Sequence, residues 1–273
     1  MSTTGLKRNT IDKYYTKSKI VDLCIQLIKD NLFIKSNDLI IEPSAGNGAF
    51  ITQIKNLTTN YIFLDIQPEN SNIIQLDYLT FTITELNNLT YENIHVIGNP
   101  PFGRQSSLAI KFIKKSSEYA DSISFILPKS FKKDSMKNKI PLNFHLIVEY
   151  DLPDNAFLID GNEIDVPCIF QIWKKKDYNR EIEEKLEPNN YIFVKKNNNP
   201  DVSFRRVGIN AGIISQNIDN KSIESHYFIK FTNNKKIEDN LLKLLNIKFK
   251  FNNTVGPKSI SKQELIKEFN KYL

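Results

Sequence analysis

At 273 residues, 40% of them hydrophobic and 11% aromatic, the chain can build one large domain, or one domain with a small annex. Its apolar runs are far shorter than the roughly 20 residues of a membrane-spanning helix. A formal net charge of +6 permits a polyanionic partner without requiring one, while three scattered histidines and two cysteines with no cluster leave no zinc site.

The opening residues Met1-Ser2-Thr3-Thr4-Gly5 lack the apolar segment of a secretory leader, so a cytoplasmic, metal-free protein is expected. An amphipathic helix is predicted over 18–29, with Ile20, Leu23, Cys24, Leu27 and Ile28 on one face. Cys24 and Cys168 sit among apolar neighbours and read as reduced core residues. Strands are predicted at 38–42, 60–65, 72–76, 94–98, 122–127, 144–150 and 167–173, with helices at 48–56, 106–119 and 129–138. Strands interleaved with helices suit an α/β fold, a doubly wound seven-stranded Rossmann-like sheet with ligands at the carboxyl ends of its strands. After Lys174-Lys175-Lys176 the pattern changes. Residues 1–176 are read as the main domain and 177–273 as a small α+β annex. A polar connection runs over 177–200, followed by strands at 202–207 and 226–231 and helices at 237–245 and 262–272.

The sharpest local signal is Leu39-Ile40-Ile41-Glu42-Pro43-Ser44-Ala45-Gly46-Asn47-Gly48. A buried strand ends at Glu42, and the Gly46-x-Gly48 turn leads into a helix, where missing Cβ atoms let backbone approach a ligand. Asp65 closes the next strand, roughly twenty residues on, where a carboxylate can accept hydrogens from both ribose hydroxyls. Asp77 follows the third strand, placed to receive a hydrogen from an adenine amine. Helix caps or turns are the alternative readings of both aspartates. Position 51 is Ile51 where a dinucleotide fingerprint wants a third glycine, and no Gly-Lys-Ser/Thr follows. A cofactor without phosphates fits better, and S-adenosylmethionine is one.

After the fourth strand comes Asn99-Pro100-Pro101-Phe102. An aromatic amine is a poor nucleophile, because its lone pair is delocalised into the ring. An Asn oxygen and a main-chain carbonyl that accept its hydrogens favour pyramidalisation toward a methyl donor. Pro100 and Pro101 fix φ and hold those acceptors, and Phe102 can stack on a base turned out of its helix. A rigid turn after a strand is the plainer reading.

Together, Asn99-Pro100-Pro101-Phe102 and Glu42-Pro43-Ser44-Ala45-Gly46-Asn47-Gly48 resemble the amino-methyltransferase superfamily, especially N6-adenine methyltransferases. Tyr14-Tyr15-Thr16-Lys17 resembles the N-terminal Tyr-Thr-Pro motif of the class ordered cofactor half, catalytic half, then target recognition, with Lys17 where proline is usual. The resemblance covers roughly residues 12–175. It implies that Tyr15 and Thr16 contact the methionine part of S-adenosylmethionine, that Glu42, Gly46 and Gly48 form the cofactor loop, and that Asp65 and Asp77 contact ribose and adenine. It also places Phe157 where such enzymes often carry an aromatic against the flipped base.

Arg104, Lys132 and Lys133 fall at the same sheet edge, and Arg205-Arg206 in the annex could grip phosphates. A basic edge with aromatics suits a nucleic-acid strand. A solvated face or a packed turn is the alternative for each. The expected activity is methylation of the N6 amine of adenine in nucleic acid, DNA ahead of RNA. The alternatives are an RNA guanine-amine or protein-glutamine methyltransferase, or an inactive cofactor-binding scaffold.

Overall fold

The computed structural model describes residues 14–86, 90–182, 184–249 and 257–273; the opening segment, expected to carry no leader, lies outside the described residues. The chain divides into two compact units, Met1–Glu181 and Ile182–Leu273.

The first unit begins with β1 (Tyr15–Thr16), α1 (Ser18–Asn31), β2 (Leu39–Glu42), α2 (Ile51–Lys55), β3 (Asn60–Asp65) and β4 (Ile74–Gln75). It continues with β5 (Ile94–Gly98), α3 (Ser107–Ser117), β6 (Ser122–Pro128), α4 (Asp134–Lys137), β7 (Phe144–Asp151), β8 (Phe157–Ile159), β9 (Asn162–Ile164) and β10 (Cys168–Lys175). Seven of these strands form one sheet in the order β4-β3-β2-β5-β6-β10-β7. The first five pair in parallel, and β10 runs antiparallel to both β6 and β7. All residues of β2, β5 and β6 are buried, as expected of strands covered on both faces. The chain winds outward from β2 in one direction and then from β5 in the other. The crevice at the carboxyl ends of these two neighbours is therefore the topological switch point.

The seven predicted strands and the Rossmann-like fold class match this sheet. The helix predicted over 129–138 does not form as one element. A 3-10 turn at Lys129–Lys132 and the short α4 replace it, with Lys133 extended between them. Phe131 is fully buried there, and its carbonyl accepts from Gln171 Nε2 at 3.3 Å instead of from a helix amide. Cys24 and Cys168 are free and buried, and burial pushes both thiols up.

At the amino ends of the strands, opposite the switch point, a buried polar cluster ties β2, β5 and β6 together. His95 bonds Ser122 Oγ through Nδ1 at 2.7 Å and Asp38 Oδ2 through Nε2 at 3.2 Å. Asp38 also accepts from Lys35 N, Asn93 N and Asn93 Nδ2. Burial lowers the His95 pKa against the opposing pull of Asp38. Burial alone would raise the Asp38 pKa, but its hydrogen bonds outweigh that and hold it low. The unfolded chain therefore binds more protons than the folded one below about pH 6.5, and stability falls as pH drops through that value. Thermal melts from pH 8 to 5 should show a smaller acid loss in His95→Gln than in the wild type. Equal slopes would remove His95 from the acid response.

The second unit holds β11 (Tyr191–Val194), β12 (Val202–Arg205), β13 (Ile214–Ser215), β14 (His226–Phe231), α5 (Ile237–Leu244) and α6 (Lys262–Phe269). Its antiparallel sheet runs β11-β14-β12-β13. Tyr191, Phe204, Ile229, Leu265 and Phe269 belong to its core, and a Ser261–Glu264 capping box starts α6. The strand at Tyr191–Val194 corrects the expectation of a wholly polar connection over 177–200. Among the described residues, no helix is long and apolar enough to cross a membrane.

Candidate cofactor and methyl-acceptor site

The loop after β2 is fastened from the neighbouring strand. Asp65, the last residue of β3, accepts from Gly46 N at 2.8 Å and from Gln67 N at 2.8 Å, one on each carboxylate oxygen. Ala45 N donates to Leu64 O, and Glu69 N returns to Gly46 O. Gly46 and Gly48 both have positive φ, at 53° and 89°, which disfavours any residue with a Cβ. The two glycines differ in what a Cβ would meet. At Gly46 it would face the Tyr15 ring at 3.7 Å; at Gly48 it would strike Ile51 Cδ1 at 2.6 Å. Gly46 borders the cavity described next, while Gly48 does not. The missing Cβ of Gly48 permits the turn and the packing of Ile51 against it.

A cavity of about 360 Å³ lies at the switch point. Its walls come from the Tyr14–Thr16 segment, the loop after β2, the ends of β3 and β4, and Asn99–Phe102. Four carboxylates line it, those of Glu42, Asp65, Glu69 and Asp77, and among the described lining residues there is no Lys, Arg or His. Glu42 is only 2% exposed, and its Oε2 has no hydrogen-bond partner. Burial, followed by the nearby Asp65 charge, pushes its pKa up to about 8. Tyr15 donates its hydroxyl to Glu69 Oε1 at 2.6 Å; burial, then that bond, raises its pKa to about 12. Asp77 lines the cavity and also accepts from Leu79 N at 2.9 Å in a side-chain turn.

The Asn99 side chain sits between the cavity and β1. Its Nδ2 donates to Tyr14 O and to Thr16 Oγ1, each at 3.2 Å. A carbonyl can only accept, so Tyr14 O fixes which end of the amide is nitrogen. The other end, Oδ1, is buried without a partner. Ser44 Oγ donates to the Asn99 carbonyl at 3.1 Å, anchoring the peptide just before Pro100 and Pro101. Phe102 stacks on Tyr14 with centroids 6.4 Å apart, and its carbonyl accepts from Leu108 N and Ala109 N at the start of α3. The chain then turns sharply. Gly103 has φ 67°, and a Cβ there would strike Leu108 Cγ at 2.8 Å. Gln105 and Ser106 are left-handed as well.

No protein-family model matches the sequence. A curated relative, the ribosomal RNA small subunit methyltransferase A of Francisella tularensis subsp. novicida, is 25% identical over 139 residues, covering 46% of this chain and 51% of the relative. The same protein from Francisella tularensis subsp. tularensis is 24% identical over the same length. The chain thus spans about half the length of the curated relatives it matches. The methyltransferase subunit of a type I restriction-modification system from Streptococcus thermophilus superposes with a TM-score of 0.44 at 15% identity, over 60% of this chain and 46% of that one. A dimethyladenosine transferase from Plasmodium falciparum gives 0.41 at 14% identity, over 60% and 64%. The chain is thus similar, over about half its length, to ribosomal RNA methyltransferases, and its first unit has the Rossmann-like α/β fold.

In the first unit the structure gathers Tyr15, Thr16, Glu42, Gly46, Asp65, Asp77 and the whole Asn99–Phe102 tetrapeptide around one cavity. Of the remaining predicted residues of the first unit, none lines it. Phe157 is fully buried and stands edge-on to Tyr14 at 6.1 Å, so it supports Tyr14 from the core and offers no open face. Lys132 is paired with Asp151 at 2.7 Å, with Lys129 at 3.5 Å from the same carboxylate; Lys133 follows, half-buried. Arg104 is exposed just past the tetrapeptide. In the second unit, Arg205 Nε donates to Val207 O. Arg206 donates to Glu224 O through Nε and a terminal nitrogen and lies 5.5 Å over the Tyr227 ring. Both guanidinium groups bond backbone carbonyls of neighbouring turns, as in the packed-turn reading.

Sequence reasoning missed Tyr14, Ser44 and Glu69 as cavity residues. Glu69 had a readable signal, an acidic residue four positions after Asp65 in the same strand-end turn.

Proposed function

We propose that this chain transfers a methyl group from S-adenosylmethionine to the exocyclic N6 amine of an adenine in nucleic acid. The observation that carries the reading is the Asn99 amide oxygen, buried, without a partner and oriented by its own nitrogen's two bonds. A buried unmet acceptor costs on the order of 1–3 kcal/mol, and an incoming N–H would satisfy it.

The cofactor assignment is supported by the wall of the cavity. Four carboxylates with no cation among the described lining residues suit a positively charged ligand, and about 360 Å³ is within the usual range for a small-molecule site. Asp65, Asp77, Glu42, Gly46 and Tyr15 would hold the cofactor, which when bound supplies an electrophilic methyl on a sulfonium. The protein's part is positional. Asn99 Oδ1 accepts a hydrogen of the target amine, Pro100 and Pro101 keep the backbone carbonyls fixed, and Phe102 with Tyr14 offers aromatic surface to the base. No side-chain base is required before transfer, because the amine attacks as a neutral nucleophile and sheds its proton afterwards to water.

The second unit is proposed as a substrate-binding extension. It has a groove of about 390 Å³ lined by Phe193, Lys195, Tyr227 and Lys262 among others, an aromatic and basic composition suited to a single strand. The curated relatives named for ribosomal RNA support a nucleic-acid target. The deciding experiment incubates the protein with labelled S-adenosylmethionine and separate DNA and RNA substrates, then digests each to nucleosides for mass spectrometry. N6-methylated adenosine or deoxyadenosine is expected. Methylguanosine, or label recovered only in protein glutamine, would overturn the adenine assignment.

A further inference from the structure

The segment Tyr14–Thr16 lies against both the cavity and Asn99, and a hairpin holds it there. β8 and β9 are joined by Asp160-Gly161, with Ile159 paired to Asn162 and both turn residues at positive φ, 48° and 78°. That is the geometry of a tight two-residue hairpin turn. β1 adds to this hairpin as a third strand, Tyr15 opposite Leu158 and Thr16 opposite Phe157. The next residue strengthens the join. Lys17 N donates to Ala156 O at 3.1 Å, and Lys17 Nζ pairs with Glu163 on β9. The φ of Lys17 is −63°, the value a proline would impose. A proline has no N–H, however, and could not make the bond to Ala156. Lysine at this position therefore keeps the proline-like backbone path and adds two attachments to the hairpin.

Thr16 itself is buried at 7% exposure, and its Oγ1 accepts from Asn99 Nδ2. With Tyr14 O it forms the pair of acceptors that sets the plane and direction of the Asn99 amide. Resting on the proposed role of Asn99, we infer that Thr16 is a positioning residue: its hydroxyl, held by the β8–β9 hairpin, turns the Asn99 oxygen toward the target amine and does not serve as a cofactor ligand. Removing that hydroxyl leaves Nδ2 one acceptor and frees the amide to rotate.

The test compares Thr16→Val, nearly isosteric but without an acceptor, with Thr16→Ser, which keeps one. Calorimetry should give both variants cofactor affinities within about twofold of the wild type. Thr16→Val should lower kcat by about tenfold, the scale of one lost hydrogen bond, with kcat largely restored in Thr16→Ser. In the ligand-free protein, the Asn99 side-chain amide resonance, assigned by its loss in Asn99→Ala, should exchange with solvent slowly in the wild type and Thr16→Ser and faster in Thr16→Val. Weaker cofactor binding with normal kcat at saturation would make Thr16 a cofactor ligand and overturn the inference, as would unchanged exchange in Thr16→Val. If the wild type transfers no methyl to any nucleic acid, the proposed function fails, and the exchange measurement still decides the positioning role of Thr16.

Discussion

Asn99→Ala should leave cofactor affinity within about threefold of the wild type while methyl transfer falls by roughly 10²-fold or more, the loss seen when a preorganised polar contact is removed. The separation follows from where the amide points. Its nitrogen is spent on Tyr14 O and Thr16 Oγ1, and its oxygen is the unmet acceptor. The cavity's carboxylates, which carry the attraction for a cationic ligand, are other residues. Calorimetry with S-adenosylmethionine or its demethylated product reads the first quantity, and single-turnover transfer reads the second. A variant that loses affinity and rate together would place Asn99 on the cofactor. A variant with wild-type transfer would remove it from the reaction.

Glu42→Gln should act in opposite directions on stability and on binding. Folded Glu42 titrates near 8 because it is buried beside Asp65, whereas in the unfolded chain it titrates near 4.3. Below that lower value both states are protonated and nothing is lost. As pH rises toward 8 the unfolded chain ionises while the folded one does not, so ligand-free stability declines across that window. Glutamine has the same shape and never ionises. The ligand-free variant should therefore match the wild type near pH 4.5 and exceed it at pH 8, by an amount of the order of a few kcal/mol. Cofactor affinity should fall in the same variant, because a buried carboxylate facing a cation is lost. Binding to the wild type at pH 7 should also release protons, visible as an enthalpy that changes with the buffer's own ionisation heat. Thermal melts at the two pH values, with calorimetry in two buffers, cover all of this. A variant less stable than the wild type at pH 8 would refute the account.

The centre of the sheet was legible because β2, β5 and β6 are buried along their whole length and so read as largely apolar stretches, 39–41 and 125–127 among them. Strand-end chemistry was legible for a related reason: Asp65 ends β3, Asp77 falls just past β4 and Asn99 just past β5, and topology brings strand ends together. What stayed hidden depends on partners far away in sequence. Nothing local marks Tyr15–Thr16 as a strand, since its hydrogen-bonding partner lies over 140 residues on, at Phe157–Leu158. Lys132, Arg205 and Arg206 were read from charge alone, and charge does not reveal that Asp151 or a backbone carbonyl is already in reach. Gly46 and Gly48 are equivalent on the page and differ only in which way a missing Cβ would point.

The acidic lining of the cavity bears on competition inside a cell. S-adenosylmethionine and the adenine nucleotides share one adenosine, so the contacts to ribose and base proposed for Asp65 and Asp77 would not tell them apart. The rest of each molecule differs in sign: a sulfonium and an ammonium on one, a chain of phosphates on the other. Brought beside Asp65, Glu69 and Asp77, those phosphates would meet repulsion of the order of 1 kcal/mol per charge pair even at the dielectric constant of water, and several times that in a half-enclosed cavity. With no lysine or arginine among the described lining residues to offset it, a wall that suits a cationic methyl donor would disfavour a polyphosphate in the same seat.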